Sequence, residues 1–259
     1  KDVVMIKGLY AAATAMITNM SRQNLISHNL ANLDTPGFRS LLTVNEDWRN
    51  TDVQDTPQYP NTFNNRLMDY GTIGLGVDLI QPVTDYSMGA LRQTEEPLDV
   101  AIEGNGFFTI ETPNGVRYTK DGRFLRDSNQ NLVTTEGYFV LDANGQRITL
   151  PETGMIVIGT DGSMRADDNP PFATLGLAAF NDPRTELVGD LPNTYSAAAA
   201  PTSTDYGQVV QGYLEESNVN PTAMMTQMVE VNRAYEAAQK LVQTQDDLLG
   251  RVISTLGRL

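Results

Sequence analysis

The side chains that could do chemistry are few, and their spacing does not suit it. One histidine, His28, falls inside an N-terminal helical stretch. A single imidazole cannot build a multi-histidine metal cluster, so packing or capping is its expected role. Cysteine is absent, which removes disulfides, thiolate metal sites and a thiol nucleophile. Asp127-x-Asn129-x-Asn131 opens with the rhythm of a calcium loop. Leu132 stands where that loop needs glycine, however, and Tyr138 where it needs a bidentate glutamate. A turn built on Asp and Asn side chains is the better account. The adjacent pairs Glu95-Glu96 and Asp167-Asp168 would point apart in a strand or loop, so neither is placed for acid–base work. The glycines of Gly71-Thr72-Ile73-Gly74-Leu75-Gly76-Val77 lack the strand-then-helix setting and the Lys-Ser/Thr of a phosphate loop. No catalytic, cofactor-binding or metal-binding residue is assigned, and an enzyme is disfavoured.

The informative residues are apolar, and helices must position them. From Asn220-Pro221 onward, Met224, Met228, Val231, Tyr235, Ala238, Val242, Gln245, Leu249, Val252 and Leu256 follow steps of four and three. Gln245 alone is not apolar. This is an a/d seam, the mark of a helix that packs lengthwise on another helix. Asn220 can cap the helix, and Pro221 suits its first position, where a missing N–H costs nothing. A second helix is expected over 3–33, with Ile6, Leu9, Ala13, Met16, Met20 and Leu30 at the same spacing. Its other positions are mostly small or amide side chains, which suit a face covered by protein better than a solvated one. Thr35-Pro36-Gly37 ends it.

Between the helices, residues 35–85 read as an extended linker or arm, and 86–217 as an antiparallel β domain of short strands. Strands are expected at 100–102, 107–110, 116–119, 124–125, 132–134, 138–141, 147–150, 155–158 and 174–180. Turns are expected at Asn114-Gly115, Asn144-Gly145 and Asp161-Gly162. Residues 193–207, with four consecutive alanines, read as an exposed loop. The fold expected is therefore α+β: long N- and C-terminal helices pairing as a coiled coil, with an inserted antiparallel all-β domain. Its discontinuous helical part is 1–34 plus 218–259.

Charge separates the same regions. The net −14 comes from the middle, where residues 36–217 carry 11 basic against 26 acidic groups; the two ends are close to neutral. An acidic body repels phosphate backbones, which disfavours nucleic acid. No apolar run reaches the ~20 residues of a membrane span, so no insertion is expected. The N-terminus shows no basic region followed by an apolar core and a cleavage site, so no signal peptide is expected.

Three separated stretches resemble one family, the bacterial flagellar rod and hook axial proteins. Asn29-Leu30-Ala31-Asn32-x-x-Thr35-Pro36-Gly37-Phe38 resembles the signature closing that family's N-terminal helix. Gly212-Tyr213-Leu214-Glu215-Glu216-Ser217-Asn218-Val219-Asn220 resembles its C-terminal signature. Pro97 to Phe108 and Tyr118-Thr119-Lys120-Asp121-Gly122-Arg123-Phe124 resemble the opening of its β domain. The resemblance implies a structural subunit, of the rod rather than the longer hook. It would self-assemble through its terminal helices into a hollow tube that transmits torque and passes exported subunits. Partners would be further copies, other rod and hook proteins, and the flagellar type III export apparatus; the place would be the basal body, reached without a cleaved signal. His28 stands where the family commonly has Asn, and Lys1 to Val4 precede the usual start at Met5. A hook-type subunit, or a monomeric secreted stalked β-domain protein that binds a carbohydrate or hydrolyses one, are the alternatives.

Overall fold

The computed structural model describes residues 2–43, 45–47, 50–54, 69–74, 77–79, 82–167, 169–191, 193–197, 199–203 and 205–256, with side chains over 11–43 and most of 82–251. The chain divides into two compact units. One comprises Lys1–His28, Leu42–Val83 and Thr222–Leu259; the other comprises Asn29–Leu41 and Thr84–Pro221. An N-terminal helix, an inserted β body and a C-terminal helix give the α+β class that the sequence implies.

The first unit holds all but the inner ends of two helices, Asp2–Ala31 and Pro221–Leu256. The 36 residues of the second make it about 54 Å long. The arm joins this unit as paired strands: Asn45–Asp47 with Val77–Leu79, and Asn50–Gln54 with Asp69–Gly74, both antiparallel. Trp48 and residues 55–68 lie outside the described residues.

The second unit is built on an eight-stranded sheet. Its strands run in the order 124–126, 132–134, 139–140, 106–112, 115–119, 194–197, 187–191, with Leu177–Ala179 also paired to Gly106–Thr112. The strand Gly106–Thr112 is covered on both faces where Phe107 and Phe108 point to opposite sides, while Thr109 and Glu111 are half-buried. Phe108 and Ile110 enter one core with Val100, Phe124, Leu132 and Val140; Phe107 enters another with Tyr118, Phe180 and Tyr195. The rings of Phe107 and Tyr195 meet edge-on at 5.8 Å, and those of Phe108 and Phe124 at 5.0 Å.

The structure departs from the sequence expectation in several places; the expected strand 174–180, for one, is two strands, Ala173–Thr174 and Leu177–Ala179, paired in different sheets. Residues 193–207 are not wholly an exposed loop, since Thr194–Ala197 is a strand of the main sheet with Tyr195 buried. Residues 147–150 form no strand; they close the sheet through single bridges, Leu141 to Arg147 and Asn131 to Thr149. The hairpin at Asn114-Gly115 pairs Thr112 with Gly115, so its two loop residues are Pro113 and Asn114.

The Asp-Asn stretch singled out as a false calcium loop is a side-chain-built turn. Asp127 Oδ1 accepts from the backbone N–H of Asn129 and Asn131 at 2.8 and 2.7 Å. The same arrangement recurs one hairpin later, where Asp142 Oδ1 accepts from Asn144 and Gln146. These bonds hold both carboxyls below the usual carboxylate range against the opposing effect of desolvation. The fourth residue is left-handed in both, Gln130 at φ 66° and Gly145 at φ 78°. Glutamine is strained there and glycine is not. Gln130→Gly should therefore raise stability by about 0.5–1 kcal/mol in urea unfolding; a loss of stability would contradict this account of the turn.

Candidate functional site

The three motif stretches are far apart in sequence, yet within the β unit they meet at one buried junction. Asn29, only 2% exposed, uses its amide as a substitute peptide: its Oδ1 accepts from Leu41 N–H at 2.9 Å, and its Nδ2 donates to Leu41 C=O at 2.8 Å. The chain between turns through Asn32 and Thr35, whose side chains lie 3.3 Å apart, to Gly37 at φ +68°. A Cβ on Gly37 would lie 2.5 Å from the Lys120 backbone carbon. Glycine is thus required there both for its conformation and for space. Gly122 is required for space alone, since a Cβ would reach within 1.6 Å of the Val100 carbonyl.

Glu215 sits at the centre, 1% exposed. Its backbone carbonyl accepts from Gly37 N–H at 2.7 Å, and its Oε1 accepts from Gly89 N–H at 2.9 Å. Oε1 also lies 2.5 Å from Arg39 Nη1, which donates to the Ser87 carbonyl at 2.7 Å. Lys120 approaches Oε2 at 3.4 Å, a Coulombic contact rather than an aligned hydrogen bond; its best bond goes to the Gly104 carbonyl at 2.7 Å. Asn218 completes the junction. Its Oδ1 accepts from Ser40 N–H, and its Nδ2 donates to the Asp85 and Ser87 carbonyls. Asn193 reaches in from the opposite side to donate to the Pro36 carbonyl. Phe38 and Val219 are buried beside it, and Ser217 Oγ accepts from Val219 N–H.

Two cations thus share one carboxylate away from water. Desolvation pushes the Lys120 ammonium down to about 8, and Arg39 acts in the same direction while Glu215 opposes it. An unfolded lysine titrates near 10.4. Between these values the unfolded chain holds the proton and the folded one does not, so stability rises with pH from about 8 to 10 and is lost as pH falls through 8. Above 10 the buried hydroxyls of Tyr86, Tyr118 and Tyr195, all pushed up by desolvation, act in the opposite sense. Thermal unfolding should show a midpoint that climbs over pH 8–10, and Lys120→Met should flatten that climb. An unchanged climb in the variant would place its origin elsewhere.

The motif residues Asn29, Gly37, Phe38, Glu215, Asn218 and Val219 are therefore brought together. Leu30, Asn32, Thr35 and Ser217 are half-buried around them, and Ala31 is exposed. Arg39 and Lys120 were not singled out by sequence reasoning. The available signal was a charged residue embedded in, or next to, each motif.

The positions expected to carry assembly lie on the helices of the other unit, except Leu30, which falls in the β unit. On the C-terminal helix Val231 and Ala238 are buried, and Met224, Met228, Tyr235, Val242 and Gln245 are half-buried. Met225, Val229, Leu241 and Leu248, off the seam, are exposed. The side chains of Ile6, Leu9, Leu249, Val252 and Leu256 lie outside the described ones. On the N-terminal helix the buried described residues differ from the expected set. Ala12, Thr18 and Ile26 are buried, Met16 is at the margin, and Ala13 and Met20 are exposed. The exposed stripe Ala13, Ile17, Met20, Asn24, Ser27, Ala31 carries no Lys, Arg, Asp or Glu. His28 is exposed in the last turn.

Comparison with known proteins agrees with this arrangement. Residues 9–39 match the family described as flagella basal body rod protein, and 101–166 match the D1 domain of flagellar hook protein FlgE/F/G. Residues 210–255 match the flagellar basal body rod FlgEFG protein C-terminal family. The chain is 35% identical over 257 residues to the flagellar basal-body rod protein FlgF of Mesorhizobium japonicum, spanning 98% of this chain and 99% of that one. This chain belongs to the flagellar basal-body rod protein family. It is also 29% identical to the rod protein FlgG of Bacillus subtilis and 32% to FlgG of Borreliella burgdorferi, over 96% and 95% of its length. Membership places it among the proteins of the flagellar basal body. The junction lies where the N-terminal and C-terminal matches of this rod family overlap the β unit. No helix among the described residues is long and apolar enough to cross a membrane.

Proposed function

We propose that this rod-family protein is a non-enzymatic axial subunit that self-assembles through its terminal helices into a hollow tube. In this reading the a/d seam from Met224 to Leu256 pairs with the N-terminal helix as a coiled coil. The remaining apolar positions of both helices pack against neighbouring copies and other rod or hook proteins. The observation that carries the reading is the exposed, uncharged stripe of the N-terminal helix, since a solvated helix face ordinarily carries Lys and Glu. Burying Ile17, Met20, Leu241 or Leu248 against a neighbour contributes roughly 1.5–3 kcal/mol each. The acidic middle stays in solvent and keeps β units of adjacent copies apart. Torque transmission, passage of other subunits through the tube, and delivery by the flagellar type III export apparatus belong to the same proposal.

Sedimentation velocity over a concentration series tests it. The full chain should form large species, and Ile17→Asp or Leu241→Asp should leave a folded monomer, because both side chains are exposed in the single chain. Assembly by these variants at wild-type concentration would remove the helix faces from the interface. A compact monomer at every concentration for the wild type would instead favour a stalked β-domain protein.

A further inference from the structure

The junction has a geometry that matters when the chain is pulled by its two ends. Chain enters the β unit at Asn29 and leaves it at Pro221. Just inside those points the incoming and outgoing segments are bonded directly to each other. Gly37 N–H donates to the Glu215 carbonyl, Asn218 N–H donates to the Phe38 carbonyl, and Ser40 N–H donates to Asn218 Oδ1. Partner numbers rise together along both segments, so the two run parallel. Arg39 and Glu215 form an ion pair across the same line.

From this geometry we propose that the segments 37–40 and 215–218 form a mechanical clasp, loaded in shear when force arrives through the terminal helices. Pulling acts on the N-terminal end of one parallel segment and the C-terminal end of the other, which are opposite ends of the pair. All the cross-bonds then share the load at once. In an antiparallel pair loaded at adjacent ends they would open one after another. Two features stiffen each side of the clasp. The Asn29 amide bonds both backbone groups of Leu41, which closes the loop carrying residues 37–40 and holds that segment in place. Gly89 N–H and the Asp85 and Ser87 carbonyls hold Glu215 and Asn218 from behind. Strands that carry the sheet, such as Gly106–Thr112, are thereby shielded until the clasp fails. The clasp is a property of one chain and does not depend on how copies assemble.

Single-molecule force spectroscopy on the full chain tests it. The absence of cysteine makes Ser27→Cys and Thr222→Cys unique attachment points, exposed and just outside the β unit. The parent should rupture in one step that releases the whole unit. Asn218→Ala removes cross-bonds without leaving a buried charge, and should add an early step at lower force. That step should release about eighteen residues, ~60 Å of contour. Glu215→Gln should show the same early step where it folds, and Lys120→Met, whose side chain is off the line of pull, should keep the single step. Forced rupture reports the barrier to unfolding rather than equilibrium stability, so the variants separate the two. One unchanged step in Asn218→Ala would overturn the clasp. So would an equal fall in force for Asn218→Ala and a core control such as Val140→Ala with no early step in either.

Discussion

Replacing Glu215 with glutamine should lower the unfolding free energy by about 3–5 kcal/mol, the range seen when one partner of a buried ion pair is removed. Glutamine preserves volume and can still accept from Gly89 N–H, so the loss isolates charge from packing. It strands two cations. Arg39 cannot shed its proton and is 3% exposed, whereas Lys120 can become neutral because burial already holds it down. The variant should therefore recover part of its loss as pH rises through the Lys120 titration. Lys120→Met in the Glu215→Gln background should recover part of it at neutral pH. Urea unfolding of the four-member set gives the coupling directly. The exposed pair Glu111–Arg147 is the natural control. It is bonded at 2.6 Å, yet each side chain is more than a third exposed and screened by water, so its removal should cost far less. A Glu215→Gln loss no larger than that of Glu111→Gln would mean the junction is wetter than its burial indicates.

How much of this was legible in the sequence follows the physics of each part. Part of the C-terminal seam was readable because Val231 and Ala238 recur at heptad spacing, but Met225, Val229, Leu241 and Leu248 leave a second apolar set off it. The N-terminal helix was not, because Leu9 to Ala13 is apolar around most of the circumference and several stripes fit equally well. Packing selected Ala12, Thr18 and Ile26, small or β-branched side chains that allow close approach. The motifs were legible as strings, but their meaning was not. Asn29 and Asn218 act on backbone groups 12 and 178 residues away, and no local periodicity encodes such a partner. The strand Thr194–Ala197 was lost for the opposite reason. It has one large apolar residue, Tyr195, beside an alanine run, and it is a strand because two neighbours offer it partners.

Val231→Asp should have the second large effect, and its contrast with Val229→Asp carries the meaning. The two valines lie two residues apart on one helix, but Val231 is 8% exposed and Val229 is 50% exposed. An aspartate at 231 would place a carboxylate in the covered stripe, at a cost of several kcal/mol if it stays ionised there. The helix can escape that cost only by leaving whatever covers it. A helix without a covered stripe is marginal in water. Far-ultraviolet circular dichroism of the monomer should therefore lose helical signal in Val231→Asp and keep it in Val229→Asp. Lowering the pH to about 4 should restore part of the signal, because a protonated carboxyl is cheaper to bury. The β unit, compact in its own right, should keep its own unfolding transition in both variants. If both valines are needed for large species in sedimentation but only Val231 for monomer helicity, the helix has two apolar roles, one inside the chain and one between copies. Equal behaviour of the two variants in both measurements would leave a single role, and the coiled-coil pairing would lose its support.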